Sequence, residues 1–529
     1  MALTQARSLQ TRSRHALDLK KAGNSMYSRK QFDEAVSCYS KAIDFEEQAV
    51  FYSNRAACYS NTGELDKVIE DCTSALKLDK TYLKALNRRA GAYESQGTPE
   101  ALYRAVCDYT AAAILDGFQN EGAQATVERV MKRLATVKAE EIMKVRDDIP
   151  LKDAAGSPSR FHSQTREPRL PSPTFVKAYL EAFRPRSSPE ISDDASGGDA
   201  TLKQAFAALD AGDYAHACTL FNEAILQGVS SDQLRSRALN MSGTFKFIMS
   251  DARGALADLD AATAADPSDA QNWVKKASVH MELSEAADAM HDFDEALKVA
   301  PTDPDVFYHR AQVYFITGEY DKAVNEYKRS TELDSTFIFS QIQHAVAKYK
   351  AGSKEVAMRL FGRILEQFPD RPEAYNYYGE VLLDQQQFEH AVSHFDKAIE
   401  LEETRHRAAT EGPSTSGAGG APRVRNVLPM INRALAVFQW RQDFETAERG
   451  CKEAIELDPL CDIGVATLAQ LLLQQNRVRE SVEYFRRSGD LARTETELVN
   501  ALTFEHAGLA QLEFLDKYKE HAISLGLTK

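Results

Sequence analysis

The sequence predicts an all-α fold, a superhelix of about eleven helix pairs arranged in two blocks. Three observations predict it. Small residues recur every 34 positions between 270 and 405, with Ala277, Ala311, Ala345 and Gly379 at one offset and Ala289, Ala323, Ala357 and Ala391 at a second. An aromatic stands four residues after the second small position each time, as Phe293, Tyr327, Phe361 and Phe395. One helical turn apart, the small residue and the aromatic share a face, so the ring fills the space where two helices cross. The pattern also continues beyond those four units in both directions.

A period of this length with small residues at fixed offsets is the tetratricopeptide pattern, each unit being two antiparallel helices. Gly23, Ala35, Tyr39 and Ala42 mark the first unit; Ala56, Tyr59, Val68 and Ala75 the second; Ala90, Tyr93, Ala105 and Ala113 the third. Residues 121–146 read as a charged helix capping that block, giving a first domain at 1–146. Residues 147–199 read as a linker. It holds a Pro- and Ser-rich stretch, a short amphipathic helix in 170–183 with Phe175, Tyr179, Leu180 and Phe183 on one side, and a polar run expected to be disordered. A second domain at 200–529 holds about eight units. Ala217, Phe221 and Ala224, then Gly243, Ala255 and Pro267, precede the four clear ones. Ala447, Ala454 and Pro459, then Ala469, Ser481 and Phe485, follow a loose stretch at 411–422. A last helix from about Thr494 to Ser524, with Leu498, Leu502, Leu509, Leu512 and Leu515 inward, is expected to cap the second block.

Composition narrows the function. Net charge is −14 over 529 residues, which disfavours nucleic acid as a partner. The first thirty residues run the other way, with Arg7, Arg12, Arg14, Lys20, Lys21, Arg29 and Lys30 against Asp18. Seven cysteines lie scattered with no paired spacing, as expected of reduced thiols packed as small apolar groups. No run of 18 apolar residues would span a bilayer, and no apolar leader opens the chain. His390 and His394 are one turn apart, but no third ligand or adjacent glutamate makes a metal site of them, and they read as a solvated face. Trp273 and Trp440 read as packing residues. No phosphate loop or nucleophile–base pair occurs, so neither catalysis, a cofactor nor a metal is expected.

Five polar residues in the first block point to a ligand. Lys20 and Asn24 are four apart on one first helix, Lys84 and Arg88 four apart on another, and Asn54 lies on the first helix between them. Such positions face the concave side of a superhelix, so the five donors converge on one groove. Charge-assisted bonds from lysine and arginine, with amides from asparagine, suit a peptide ending in an acidic residue, which offers two carboxylates.

The segments LKKAGN at 19–24, FYSNRAACY at 51–59 and KALNRRA at 84–90 resemble the dicarboxylate-clamp repeat domains that bind heat-shock chaperones. The resemblance implies that the five residues hold the Glu-Glu-Val-Asp tails of the seventy- and ninety-kilodalton chaperones. Over nearly the whole chain, the layout is similar to the large preprotein receptors of the mitochondrial outer membrane, with ILDGFQN at 114–120, LPSPTFVKAYLEAF at 170–183, DQQQF at 384–388 and LARTETEL at 491–498 as local matches. That family implies a receptor on the cytosolic face of the outer membrane, working with other translocase subunits. It accepts hydrophobic preproteins with internal signals, such as inner-membrane carriers. It also implies an N-terminal anchor, which this sequence lacks, so the chain is expected to be soluble.

For the preprotein, concave first-helix positions of the second block suggest an apolar groove of Tyr308, Phe315, Phe339, Ile342, Val346, Tyr349, Leu383, Ile463 and Leu473. The same stripe is what a packed solenoid core would show. Two other classes compete. A soluble adaptor bridging two chaperones would need a second five-residue clamp, and a clamp fused to an enzyme would need a non-repeat domain; neither is found.

Overall fold

The computed structural model describes residues 2–147, 170–184, 186–411 and 424–527. These form 26 helices and no strand. Eleven pairs can be traced, from Ala2–Ser28 with Phe32–Phe45 to Asp462–Gln474 with Val478–Leu491, three of them before and eight after the helices Glu121–Asp147 and Pro173–Glu181. A single backbone device recurs in every pair. The residue two positions before each second helix is left-handed: Lys30, Gly63, Gly97, Gly212, Ser250, Ser284, Gly318, Gly352, Gln386, Gln442 and Asn476. This residue stops the first helix and turns the chain back antiparallel.

The small and aromatic positions meet as the spacing requires. Ala277, Ala311 and Ala345 are fully buried, as are Phe293 and Phe361, with Tyr327 nearly so. Where glycine stands at the small position the approach is closer. A Cβ on Gly379 would lie 2.6 Å from the Phe395 ring, and one on Gly23 would lie 2.7 Å from the Tyr39 ring.

The described residues fall into two compact units, Met1–Thr165 with Leu472–Lys529, and Arg166–Leu471. This differs from the division at 146 and 200 in two ways. First, the Glu495–Lys517 helix covers Val478–Leu491, the last helix of the last pair, as a cap would, and it also packs on the Pro99–Leu115 and Glu121–Asp147 helices of the first block. Ala510 joins Leu102, Val106, Val130 and Leu134, while Leu498 and Leu502 join Ala135 and Ala139. Phe514 and Tyr518 complete the cluster around Leu86 and Ala111. The Glu121–Asp147 helix has a second apolar face, and burying Phe514 alone is worth about 2–3 kcal/mol. The start of Glu495–Lys517 is fixed by a capping box between Thr494 and Glu497.

Second, residues 170–199 are not a free linker. Pro173–Glu181 is a helix of the second unit, with Ser172 as its N-cap and Pro173 in its first turn. Ser172 and the Thr174 amide both donate to the Asp458 carboxylate. Val176 packs against Leu202 and Phe206, and Phe183 against Val274 and Phe293. Arg184 then pairs with Asp334 at 3.2 Å and Asp303 at 3.5 Å. The polar run expected to be disordered is likewise tied down. Ile191 packs beside the first pair of the unit, and Arg237 donates to the Ser187 carbonyl. The stretches 148–169 and 412–423 lie outside the described residues.

Candidate functional site

In the first unit the asparagines come together. The Asn54 amide donates to Asn24 Oδ1 at 3.2 Å, and the Tyr39 hydroxyl donates to the same oxygen at 2.7 Å. Tyr39 is buried, which pushes its hydroxyl up to about 12, so it stays a donor. Its ring reaches Asn24 only because residue 23 has no side chain. Arg88 donates to the Ser53 carbonyl at 2.9 Å and to the Ser53 hydroxyl, one residue from Asn54. Lys20 and Lys84 make no hydrogen bond or ion pair among the described residues.

Two neighbouring arginines behave otherwise. Arg55 meets Asp71 through two bonds of 2.8 and 2.7 Å and also donates to Ser40. Arg89 does the same with Asp108 and Thr73, one repeat later. These two tie first helices to second helices and are spent on structure. Lys20, Lys84 and Arg88 have no carboxylate partner, so the unit's first helices carry three cations whose counter-charge is not supplied among the described residues.

The second unit contains a cavity of about 700 Å³, lined on its apolar side by Phe206, Leu209, Tyr214, Met241, Phe337 and Phe339. The Pro173–Glu181 helix and residues after it form one wall, through Lys177, Leu180, Phe183, Arg184 and Arg186. Behind Phe183 lies a buried polar cluster. Its ring stacks on His309 at 4.2 Å between centroids, and Lys275 Nζ lies 5.0 Å from its centroid. Burial holds the His309 imidazole neutral, down to about 3, and lifts the Asp305 carboxyl to about 6. Lys275 is lowered to about 7, by burial first and then by Arg186.

A tetratricopeptide-repeat profile matches residues 249–304, 274–336 and 342–406. The mitochondrial import receptor subunit Tom70 of Saccharomyces cerevisiae is 30% identical over 94% of this chain and 81% of its own length. The human Tom70 is 26% identical over 94% of this chain and 80% of its own. The crystal structure of yeast Tom70 superposes with a TM-score of 0.58 at 28% identity, covering 94% of this chain and 96% of that one. This chain belongs to the Tom70 family of mitochondrial import receptors.

Within this Tom70-family chain the nine residues of the anticipated groove have different fates. Tyr308, Phe339, Ile342 and Tyr349 are buried in one packing cluster, with Phe315 and Val346 against it. Leu383 packs beside Leu382 and Phe395. Only Ile463 is well exposed, at 50%, and Leu473 belongs to the other unit. Tyr308 and Ile342 have no free surface to offer a ligand. Phe339 alone of the nine lines the cavity. One wall of the cavity went unpredicted because it comes from the segment read as linker. Tyr39 and Ser53, which orient Asn24 and Arg88, were also missed; the signal was Gly23, whose absent side chain admits the Tyr39 ring. His394 leans on Tyr378 at 4.7 Å, and no group of three or more metal-binding side chains occurs among the described residues. No described helix is long and apolar enough to cross a membrane.

Proposed function

We propose that this Tom70-family receptor docks the carboxyl-terminal tail of a heat-shock chaperone in its first unit and receives the chaperone's hydrophobic client in the cavity of its second. The observation that carries the first half is the contrast among basic residues. Arg55 and Arg89 are neutralised by Asp71 and Asp108, whereas Lys20, Lys84 and Arg88, on the same first helices as the joined amides of Asn24 and Asn54, have no carboxylate partner. A peptide ending in aspartate brings the two carboxylates this set is missing. The second half is supported by a cavity whose apolar wall of Phe206, Met241 and Phe339 suits a segment of a carrier-type preprotein. On this reading the receptor acts at the cytosolic face of the mitochondrial outer membrane beside other translocase subunits.

The test is fluorescence anisotropy on the full chain with three labelled peptides. One ends in Glu-Glu-Val-Asp, one is the same peptide amidated, and one is a hydrophobic carrier segment. The tail peptide should bind, its amide should bind about tenfold or more weakly, and the carrier segment should bind without competing. Equal affinity for the acid and the amide would dismiss the clamp. Fragments cut at 146 and 200 are unsuitable, because they separate the Glu121–Asp147 helix from Glu495–Lys517.

A further inference from the structure

We propose that the cavity of the second unit takes a segment bearing a carboxylate, held between Arg237 and Lys275 with Arg186 beside them. The proposal deepens the reading of this unit as the client receiver and rests on it. The cavity's other cations are paired: Lys177 with Glu402 at 3.8 Å, Arg184 with Asp334 at 3.2 Å, Arg371 with Glu373 at 3.0 Å, and Arg405 with Glu373 at 2.9 Å. Arg186 has Asp269 at 3.0 Å. Arg237 and Lys275 have no carboxylate within ion-pair reach among the described residues.

What they have instead is neutral. Arg237 donates to the Ser187 carbonyl at 3.0 Å and lies 5.6 Å from the Phe206 ring centroid. Lys275 donates to Asn240 Oδ1 and Thr244 Oγ1, both at 2.8 Å. Lys275 is 7% exposed, and the guanidinium of Arg237 is held below its ordinary affinity for protons by burial and by Arg186. Three cations thus share two nearby carboxylates, Asp269 and Asp305, which leaves one positive charge over. An ammonium can shed its proton to relieve such crowding, but a guanidinium cannot. A surplus positive charge is therefore fixed in a low-dielectric site, where an incoming anion is attracted far more than in water. Phe206 beside Arg237, Met241 with its sulfur 4.0 Å from Lys275 Nζ, and Phe339 in the same lining make the fitting partner an apolar peptide with one acidic group.

The experiment uses the full chain and three labelled amphipathic peptides sharing one leucine–alanine face. The first carries a glutamate on that face and a C-terminal amide, the second a glutamine and an amide, the third a glutamine and a free C-terminal carboxylate. The readout is the ratio of affinities, which a general loss of fold does not alter selectively. The glutamate peptide should bind about tenfold more tightly than the glutamine amide. The ratio should fall below about threefold in both Arg237→Gln and Lys275→Met. Preference for the third peptide over the second, lost in the same variants, would assign the carboxylate to a chain terminus rather than a side chain. Equal binding of all three peptides overturns the proposal while leaving the client reading intact. Binding of none overturns both.

Discussion

Arg88 and Arg89 are adjacent, yet only Arg89 has a buried carboxylate partner, and on the proposed clamp reading replacing each with alanine separates fold from function. Arg89 Nε lies 2.7 Å from Asp108, and the two side chains are 12% and 6% exposed. Arg89→Ala leaves Asp108 buried without its partner, which costs about 3–5 kcal/mol. Arg88 has no acidic partner, and its alanine variant loses only its bonds to Ser53. Fold stability should therefore change by about 1 kcal/mol. In the tail complex, however, Arg88 supplies a charge-assisted bond, and its loss should weaken a Glu-Glu-Val-Asp peptide by at least about 2 kcal/mol, roughly 30-fold. Titration calorimetry gives the affinity, and urea unfolding of the same samples gives the stability. Less than about a threefold loss of affinity in Arg88→Ala would refute the clamp assignment. A urea midpoint unchanged in Arg89→Ala would refute the division of the basic residues into structural and free.

Other expectations follow from the same geometry. Gly23→Ala should push the Tyr39 ring off Asn24 and, as an overpacked contact, lower stability by about 1–3 kcal/mol, with tail affinity falling in calorimetry. Ser284 is left-handed at φ 62°, so Ser284→Gly should raise the urea midpoint by the equivalent of about 1 kcal/mol. Lys275 is lowered to about 7 from an unfolded value of 10.5. Between those values the unfolded chain binds the extra proton, so this group's destabilisation is full below about pH 7 and relaxes as pH rises towards 10.5. Lys275→Met should accordingly stabilise the second unit more at pH 6 than at pH 9, read by urea unfolding at both.

The repeat was legible because helix crossings impose a chemical period: Ala311 and Tyr327 sit where they do since no larger residue fits the first position and no smaller one fills the second. Of the five polar residues singled out in the first block, the i, i+4 spacing placed Lys20 with Asn24 and Lys84 with Arg88 on shared helix faces, and the structure adds the bond between Asn54 and Asn24. The client groove was not legible. Ile342 and Tyr349 satisfy an apolar periodicity, but periodicity does not say whether the apolar face meets solvent, a ligand or another helix, and here it meets Phe361 and Ala374. The 170–199 segment misled for the converse reason. Its proline, serine and charge have partners far away in sequence, such as Asp458 for Ser172 and Asp334 for Arg184. Likewise, the leucines of Glu495–Lys517 announce a buried face without naming the surface that buries it.

That last helix has a consequence for how the protein is made. Its partners in the first unit lie before residue 166 and after residue 471, so the whole second unit is synthesised in between. At about 5–20 residues per second, the ribosome takes roughly 15–60 s to cross that interval. Throughout it, the faces of Leu102, Val130 and Leu134 that will meet Ala510 stand uncovered. The first unit is thus begun first and completed last, and a nascent chain stalled anywhere in the second unit carries an unfinished first one.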